Sequence, residues 1–249
     1  MNSTEPILCL NDVHTGEGTD VSLQIAPGEF AVLAGPSGAE KSELLLIAAG
    51  FRKARQGSVR LLGVDLAWQR SADRFSLRRR TGFVFQEPIF IQELSSAENV
   101  QLALRYDDLL SDEDIFGRTR DLLSAAGLTG DMARVPDELA PVERRRLGLV
   151  RAWIREPEIV FYDEPAKGLD PASQQKIYEA IHNYHKGRKK DGRPSAALLA
   201  CNNPQWVLDL ADLYLVLVGG HLTSRADRTS IRGRRVALER EFLDSIQAI

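Results

Sequence analysis

Apolar residues fall along the chain in two patterns, which predict two kinds of element. Short continuous or alternating apolar runs, bounded by glycine, proline or asparagine, predict strands at 7–13, 21–25, 30–34, 58–62, 82–85, 159–162, 196–200 and 213–218. Helical spacing predicts helices at 41–49, 96–104, 112–126, 142–155 and 237–249, and others after Asp170 and Asn203. Those last two residues each precede a proline, which is typical of a helix N-cap.

The order of these segments predicts an α/β fold. Strands alternate with helices around 30–49 and again from 159 to 218, which is typical of a mostly parallel sheet. The two strands before residue 26 predict an antiparallel N-terminal β subdomain, and the helices between about 88 and 157 predict a helical insertion. We therefore expect one domain over 1–222 and a tail with a helix over 223–249.

The segment between the strand at 30–34 and the next helix has the layout of a phosphate-binding loop, so a phosphate-loop NTPase is expected. Backbone N–H groups of such a loop hold a phosphate at a helix N-terminus, a lysine adds charge, and a hydroxyl reaches Mg²⁺. The pattern G-x-x-x-x-G-K-[ST] is met except at its second glycine. An ordinary strand–turn–helix with a chance Lys-Ser pair is the alternative. The predicted phosphate-binding residues are Gly35, Pro36, Ser37, Gly38, Ala39, Glu40, Lys41, Ser42 and Glu43.

Glu40 stands where the pattern has its second glycine. A side chain crowds a backbone that passes close to phosphate oxygens, where glycine leaves room. The carboxylate adds repulsion of about 3 kcal/mol per unit charge, at a separation of ~5 Å and an effective dielectric constant of ~20. The sequence therefore predicts weakened binding of phosphate groups.

Two acids, Asp163 and Glu164, follow the apolar run at 159–162. Burying paired carboxylates is costly unless a positive group meets them. In the functional interpretation, Asp163 holds Mg²⁺ and Glu164 polarises an attacking water. In the alternative, the strand ends at the surface and both acids are solvated.

Composition narrows the class of protein. The chain has 249 residues and a net charge of −3, which argues against a nucleic-acid partner. Cys9 and Cys201 fall in predicted strands and are expected to be small buried residues. His182 and His185 are expected to be exposed helix residues. The sequence shows neither a signal peptide nor a run long enough to span a membrane, so we expect a cytoplasmic protein.

Four features occur together in the order and spacing of one family. They are the loop at 35–42, Gln86, Asp163-Glu164-Pro165 and Gly168-Leu169-Asp170-Pro171. The chain resembles the nucleotide-binding domain of ATP-binding cassette (ABC) transporters from about residue 7 to 222. A weaker likeness is to bacterial cassettes that move phospholipids or lipoproteins.

The resemblance implies ATP and Mg²⁺ as cofactors and assigns roles to the matching residues. Ser42, Gln86 and Asp163 match the residues at the metal. Glu164 matches the general base, and Asn202 stands at the position of the switch histidine, so the residues at the reaction are Glu164, Gln86 and Asn202.

The resemblance also exposes departures that predict weak or absent hydrolysis. The family's L-S-G-G-Q signature, which holds the γ-phosphate on the opposite subunit, is replaced by Leu139-Ala140-Pro141-Val142-Glu143. Alanine has no hydroxyl and proline no N–H donor. Asn202 cannot carry a proton's charge as histidine can. No aromatic residue stands near Glu17 to stack on adenine. Losing a single transition-state donor typically costs ~10²–10³ in rate.

The resemblance implies three kinds of partner or role. The first is an ATP-binding subunit of a transporter on the inner face of the membrane, joined to an integral membrane permease and paired with itself or a second cassette. The second is a pseudo-ATPase scaffold or regulatory subunit. A cassette protein of DNA repair or translation fits less well, because such proteins usually carry two cassettes or long coiled coils. The apolar segment Ile89-Phe90-Ile91 is expected to face the permease or to fold into the helical core.

Overall fold

The computed structural model describes residues 5–15, 21–68, 71–130, 132–231, 233, 240 and 242. Its strands are β1 Leu8–Val13, β2 Val21–Ile25, β3 Phe30–Ala34, β4 Ser58–Leu61, β5 Val64–Asp65, β6 Thr81–Val84, β7 Ile159–Asp163, β8 Ala196–Cys201, β9 Leu213–Val218 and β10 His221–Asp227. Its helices are α1 Lys41–Ala48, α2 Ser71–Arg80, α3 Ser96–Asp107, α4 Asp112–Ala125, α5 Pro141–Trp153 and α6 Pro171–Lys190.

The strands form two sheets, and the α/β class with a mostly parallel core is confirmed. The larger sheet has the order β10-β9-β3-β8-β7-β6, in which only the β9–β10 pair is antiparallel. The smaller sheet, β2-β1-β4-β5, is antiparallel throughout. Strands β3, β7 and β8 are fully buried, as expected for parallel strands covered on both faces. Their carboxyl ends lie side by side, so the loops that follow them meet at one edge.

Three apolar clusters hold these layers together. One fills the space between the two sheets and includes Leu44 and Leu45 of α1. A second lies on the other face of the larger sheet, under α5 and α6. The third is formed by α3, α4 and α5 around Val100, Leu123 and Leu147. No helix in the described ranges is long and apolar enough to cross a bilayer.

A buried chain of hydrogen bonds joins α5, β7 and α6. Trp153 Nε1 donates to Tyr162 Oη at 2.8 Å, and that hydroxyl lies 3.0 Å from His185 Nε2. His185 Nδ1 lies 3.0 Å from the carbonyl oxygen of Ser195, which can only accept, so Nδ1 carries the proton and Nε2 accepts from Tyr162. His185 is therefore a packed residue, not the exposed one expected, whereas His182 is exposed.

Several elements differ from the expectation. The helix expected after Asn203 is a single 3₁₀ turn, Pro204–Trp206, because β9 begins only seven residues later. Helix α2 was not predicted, since its sequence is mostly polar, with Leu77 its only buried residue among those whose side chains are described. Strand β10 was not predicted either, because five of its seven residues are polar. The helix expected at 237–249 lies almost wholly outside the described residues.

Candidate functional site

The loop between β3 and α1 folds tightly, and glycine is needed at two of its positions. A Cβ on Gly35 would lie 2.3 Å from the carbonyl oxygen of Leu217 on β9, so a larger residue cannot fit. Gly38 has φ +85°, a conformation that glycine adopts freely. Ala39 is buried beneath the loop, while Pro36 is half-buried and Ser37 is exposed. The loop leads directly into α1, which begins at Lys41.

Lys41, the first residue of α1, points its ammonium group into the site and is only 3% exposed. Its Nζ donates to the carbonyl oxygens of Gly35 at 2.9 Å and Pro36 at 2.8 Å. It also donates to Asn202 Oδ1 at 2.8 Å and lies 3.3 Å from Glu164 Oε1. Burial lowers the pKa of Lys41, and the charge of Glu164 opposes that shift. The ammonium group is thus fully occupied by protein acceptors.

Asp163 and Glu164 stand at the carboxyl end of β7 and are both buried. Ser42 Oγ donates to Asp163 Oδ1 at 2.7 Å. Burial raises the pKa of Asp163 and neighbouring Glu164 adds to the rise, while the Ser42 hydrogen bond opposes it. Glu164 has φ +43°, in the left-handed region that non-glycine residues rarely adopt. The surface alternative for these two acids is wrong, because both face the phosphate loop.

Asn202 follows β8 and joins the loop to the acids. In addition to accepting from Lys41, it donates through Nδ2 to Glu164 Oε2 at 2.9 Å and to Ser37 Oγ at 3.3 Å. One amide side chain therefore connects three segments that are far apart in sequence. It orients both the lysine and the glutamate.

Glu40 occupies the left-handed region at φ +58°, immediately before α1. This is the backbone shape that the phosphate-loop pattern assigns to glycine, and here a glutamate adopts it at a cost of about 1–2 kcal/mol. Its carboxylate accepts from the hydroxyl of Thr15, which is fully buried. Thr15 was not identified from sequence, because nothing in the chain pattern links residue 15 to the loop. Glu43 faces Arg52, with which it forms an ion pair.

Gln86 follows β6 and, among the described residues, is linked to the site through Lys167, which was not identified from the sequence. Lys167 Nζ lies 2.9 Å from Glu164 Oε2 and 3.4 Å from Gln86 Oε1. Within the described ranges, no hydrogen bond joins Gln86 to Ser42 or Asp163. Lys167 stands in the turn after the two acids. Its place in the sequence could have indicated this contact, because a lysine three residues after a glutamate can pair with it.

The oxygen atoms of Ser42 and Asp163 are suited to a divalent cation. Hard oxygen ligands are what Mg²⁺ prefers, and it commonly takes one or two carboxylates together with substrate phosphates. Within the described ranges, no group of three or more His, Cys, Asp and Glu side chains is placed to hold a metal ion by itself. A metal here would therefore depend on phosphate oxygens of a nucleotide.

The segment 139–143 forms an ordinary helix start. Leu139 is buried, Ala140 is the N-cap and Pro141 is the first residue of α5. The Glu143 carboxylate turns back to accept from the Ala140 N–H at 2.7 Å and lies 3.6 Å from Arg134 Nη1. The positive end of this helix is thus met by a carboxylate of its own chain.

The apolar segment after Gln86 is divided between core and surface. Phe90 is buried in the α3–α5 cluster, with the Arg151 guanidinium 4.8 Å from the centre of its ring. Ile89 is 83% exposed and Ile91 is also exposed. Phe51 and Phe85 are exposed as well, and their ring centres lie 6.0 Å apart. Only part of the predicted surface is therefore available to a partner.

The chain is similar in sequence to ATP-binding proteins of known transport systems. The family model described as ABC transporter matches residues 19–167. The lipoprotein-releasing system ATP-binding protein LolD 1 of Rhodospirillum rubrum is 34% identical over 188 residues, covering 75% of this chain and 80% of that protein. The thiamine import ATP-binding protein ThiQ of Histophilus somni is 32% identical over 203 residues, covering 82% of this chain and 90% of that protein.

The fold is similar to that of a dimeric ATP-binding cassette solved in a post-hydrolysis state with bound ADP and Pi. The TM-score is 0.77 at 25% identity, and the match covers 89% of this chain and 98% of that one. The expected likeness to lipoprotein-trafficking cassettes is confirmed by LolD 1. The sequence and the fold agree: this chain belongs to the ABC transporter family.

Proposed function

We propose that this chain is the ATP-binding subunit of a membrane ABC transporter, and that it binds ATP weakly and hydrolyses it slowly or not at all. The observation that carries this proposal is the state of Lys41 and Glu164. Each is buried and already bound to groups of its own chain, and to each other at 3.3 Å. Family membership and the ADP and Pi held by the similar cassette support ATP as the ligand.

Weak hydrolysis follows from what surrounds Glu164. A general base must accept a proton from water, and its carboxylate must be free to do so. Here both oxygens are occupied: Oε1 by Lys41, and Oε2 by Asn202 and Lys167. A water molecule would have to displace one of these donors before it could hydrogen-bond to the Glu164 carboxylate.

A second impairment lies at the start of α5. In a cassette dimer, the signature segment of one subunit faces the phosphates bound to the other. The segment 139–143 offers Ala140 and Pro141 in place of a hydroxyl and an N–H donor, and Glu143 already occupies the positive helix end. Each site of a dimer combines the phosphate loop of one subunit with the signature segment of the other. Every such site would contain at least one impaired component, whether this chain pairs with a second copy or with an intact cassette.

The membrane partner is expected at the exposed apolar residues on either side of Gln86, which are Phe85, Ile89 and Ile91, together with Phe51, whose ring lies 6.0 Å from that of Phe85. Exposed apolar residues that form a patch are typical of a protein interface. LolD 1 and ThiQ are named as ATP-binding proteins of a releasing system and an import system. By this proposal the chain lies on the cytoplasmic face of a membrane, held there by an integral membrane permease.

A pseudo-ATPase scaffold is the second candidate, favoured by the same lysine–glutamate ion pair. In that role, the chain holds its partners together and nucleotide turnover is lost. The two candidates differ in one measurable quantity, which is the rate of ATP hydrolysis that depends on Glu164.

Steady-state ATPase of the purified chain tests the proposal, with Glu164→Gln as the matched variant. We expect rates close to background that do not differ between the two proteins, together with weak binding of a fluorescent ATP analogue. A strong rate that disappears in Glu164→Gln would contradict impaired hydrolysis. Absence of nucleotide binding by the folded protein would contradict the ATP-binding role itself and leave the scaffold.

A further inference from the structure

The charges of the chain are unevenly distributed. Between residues 50 and 80 the sequence has nine Lys and Arg against two Asp and Glu, which is a net charge of +7. The whole chain carries −3, so the other residues together carry −10. A basic segment in an otherwise acidic protein is typical of a surface that meets a polyanion, which can be a nucleic acid or an anionic membrane.

Four cations of this segment are exposed and form no ion pair with another described residue. Lys53 and Arg55 follow α1, and Arg74 and Arg78 lie on α2. The other cations whose side chains are described each pair with a carboxylate, and these pairs are Arg52 with Glu43, Arg60 with Glu5, Arg79 with Asp107, and Arg80 with Glu158. The unpaired cations are therefore available to a ligand outside the chain.

A cleft brings cations of the two segments together. It has a volume of about 370 Å³ and is lined by Arg52, Lys53 and Arg74, together with apolar residues such as Ile47. None of its described lining residues is an Asp or a Glu. Arg78 stands four residues after Arg74 and so lies on the same face of α2. We call Lys53, Arg74 and Arg78 the basic face, and an anionic group that enters the cleft meets no carboxylate in the lining described.

Exposed aromatic rings stand beside the basic face. Phe75 is next to Arg74 on α2, and its ring centre lies 5.6 Å from that of Tyr106 on α3. The Arg78 guanidinium lies 5.9 Å from the centre of the Phe51 ring. Cations mixed with exposed aromatic rings are typical of surfaces that lie at the headgroup level of a bilayer.

The position of Phe51 favours a membrane over a nucleic acid as the polyanion. Phe51 belongs to the apolar patch where the membrane partner is expected, and its ring contacts that of Phe85. The basic face is continuous with that patch through Arg78. A chain held at its permease by the patch would therefore bring the basic face close to the bilayer surface.

We propose that the basic face binds the phosphate groups of anionic lipids directly, so that this chain contacts the bilayer itself in addition to a permease. The inference goes beyond the proposed function, because the contact requires neither the permease nor a nucleotide. Each Lys or Arg held near an anionic bilayer strengthens binding by about fivefold, and the attraction fades within a Debye length of the surface. The attachment is therefore sensitive to salt and directs α2 toward the membrane.

Sedimentation of the purified full chain with lipid vesicles tests the proposal, in the absence of nucleotide and permease. We expect binding to vesicles of phosphatidylcholine mixed with phosphatidylglycerol, little binding to phosphatidylcholine alone, and loss of binding at high salt. The double variant Arg74→Gln, Arg78→Gln should bind the anionic vesicles about 25-fold more weakly, because it removes two charges. Circular dichroism checks that the variant is folded, which is expected because both side chains are exposed.

The double variant Lys186→Gln, Lys189→Gln is the matched control, because it removes the same charge from exposed positions of α6. It should leave vesicle binding unchanged. Failure of the unmodified chain to bind anionic vesicles, or equal losses in the two double variants, would overturn the inference. So would release from the vesicles by inorganic phosphate at constant ionic strength, which indicates a site for free phosphate, or tighter binding to duplex DNA than to vesicles. Titration with an ATP analogue tests the proposed function separately from all these outcomes.

Discussion

Asn202 Oδ1 accepts a hydrogen bond from Lys41 Nζ at 2.8 Å, across 161 positions of the sequence. The same amide donates to Glu164, so the lysine and the glutamate are held by one side chain as well as by each other. The resemblance to the family places a switch histidine at this position. Here Asn202 contacts both members of a buried ion pair.

Replacing Asn202 by alanine should therefore destabilise the fold. Lys41 and Glu164 each lose a partner in a buried site, so we expect the free energy of unfolding to fall by about 1–2 kcal/mol. Urea denaturation measures this. Asn183→Ala is the matched control, because Asn183 is exposed on α6. Equal losses in the two variants would show that the Asn202 network contributes nothing of its own.

Glu40→Gly should tighten nucleotide binding by roughly one to two powers of ten, the factor that ~1.4–3 kcal/mol represents. The change removes both a negative charge and a side chain from a left-handed position. Glu40→Gln keeps the size and removes only the charge, so the difference between the two variants separates crowding from repulsion. Titration with a fluorescent ATP analogue provides the affinities. Sub-micromolar binding by the unmodified chain would mean that Glu40, bound to Thr15, does not disturb the phosphates.

Restoring hydrolysis should require several repairs together. Glu40→Gly alone leaves Pro141 facing the phosphate of the opposite subunit, and Asn202→His alone leaves the phosphate poorly held. We expect a clear gain in steady-state ATPase only when both changes are combined with an L-S-G-G-Q sequence at 139–143. A large gain from any one change would show that the remaining departures do not limit hydrolysis.

Acid should weaken the fold through His185. Burial lowers the pKa of His185 to about 4, below the ordinary 6.5 that applies when the chain is unfolded, and the nearby charges of Arg188 and His182 act in the same direction. Above pH 6.5 both states are neutral and there is no effect. Between 6.5 and 4 the unfolded state takes up the proton first, so stability falls by about 3 kcal/mol, and below 4 the loss is complete.

His185→Gln isolates this contribution, because glutamine can donate and accept but does not titrate. We expect the difference in unfolding free energy between the two proteins to change across pH 6.5 to 4 and to be constant above 7. The Tyr162 hydroxyl supports the same conclusion: burial raises its pKa, so it remains a donor that needs a neutral Nε2. Parallel pH profiles for the two proteins would contradict the assignment.

Ile89→Glu should abolish association with the membrane partner while leaving the fold intact. The side chain is 83% exposed, so a charge there costs little in the isolated chain but opposes burial in an interface. Crosslinking from position 91, which is also exposed, measures the association in membranes. Position 90 is unsuitable, because Phe90 is buried. Leu109→Glu, at a residue 72% exposed between α3 and α4, is the control, and equal crosslinking in both variants would place the partner elsewhere.

Sequence patterns predicted most of the fold because they report burial. Strands β3, β7, β8 and β9 are continuous apolar runs, and each was placed within two residues of its observed bounds. Helix α2 and strand β10 were not predicted, since a polar segment that packs along one edge shows little apolar periodicity.

The candidate site was predictable only where a motif fixes the spacing. Lys41, Ser42, Asp163 and Glu164 were identified because they belong to two short motifs. Thr15 and Lys167 were not, because their roles arise from contacts made by folding: a buried hydroxyl on Glu40, and an ammonium turned back onto Glu164. A motif records which residue types are present and leaves their partners unspecified.

The hydrogen bond between Trp153 and Tyr162 has a mechanical consequence. Trp153 is the last residue of α5, and Tyr162 is the neighbour of Asp163 on β7. Rotating or sliding α5 relative to the sheet would break this buried bond. The segment at 139–143, at the other end of α5, is therefore expected to move together with the strand that carries Asp163.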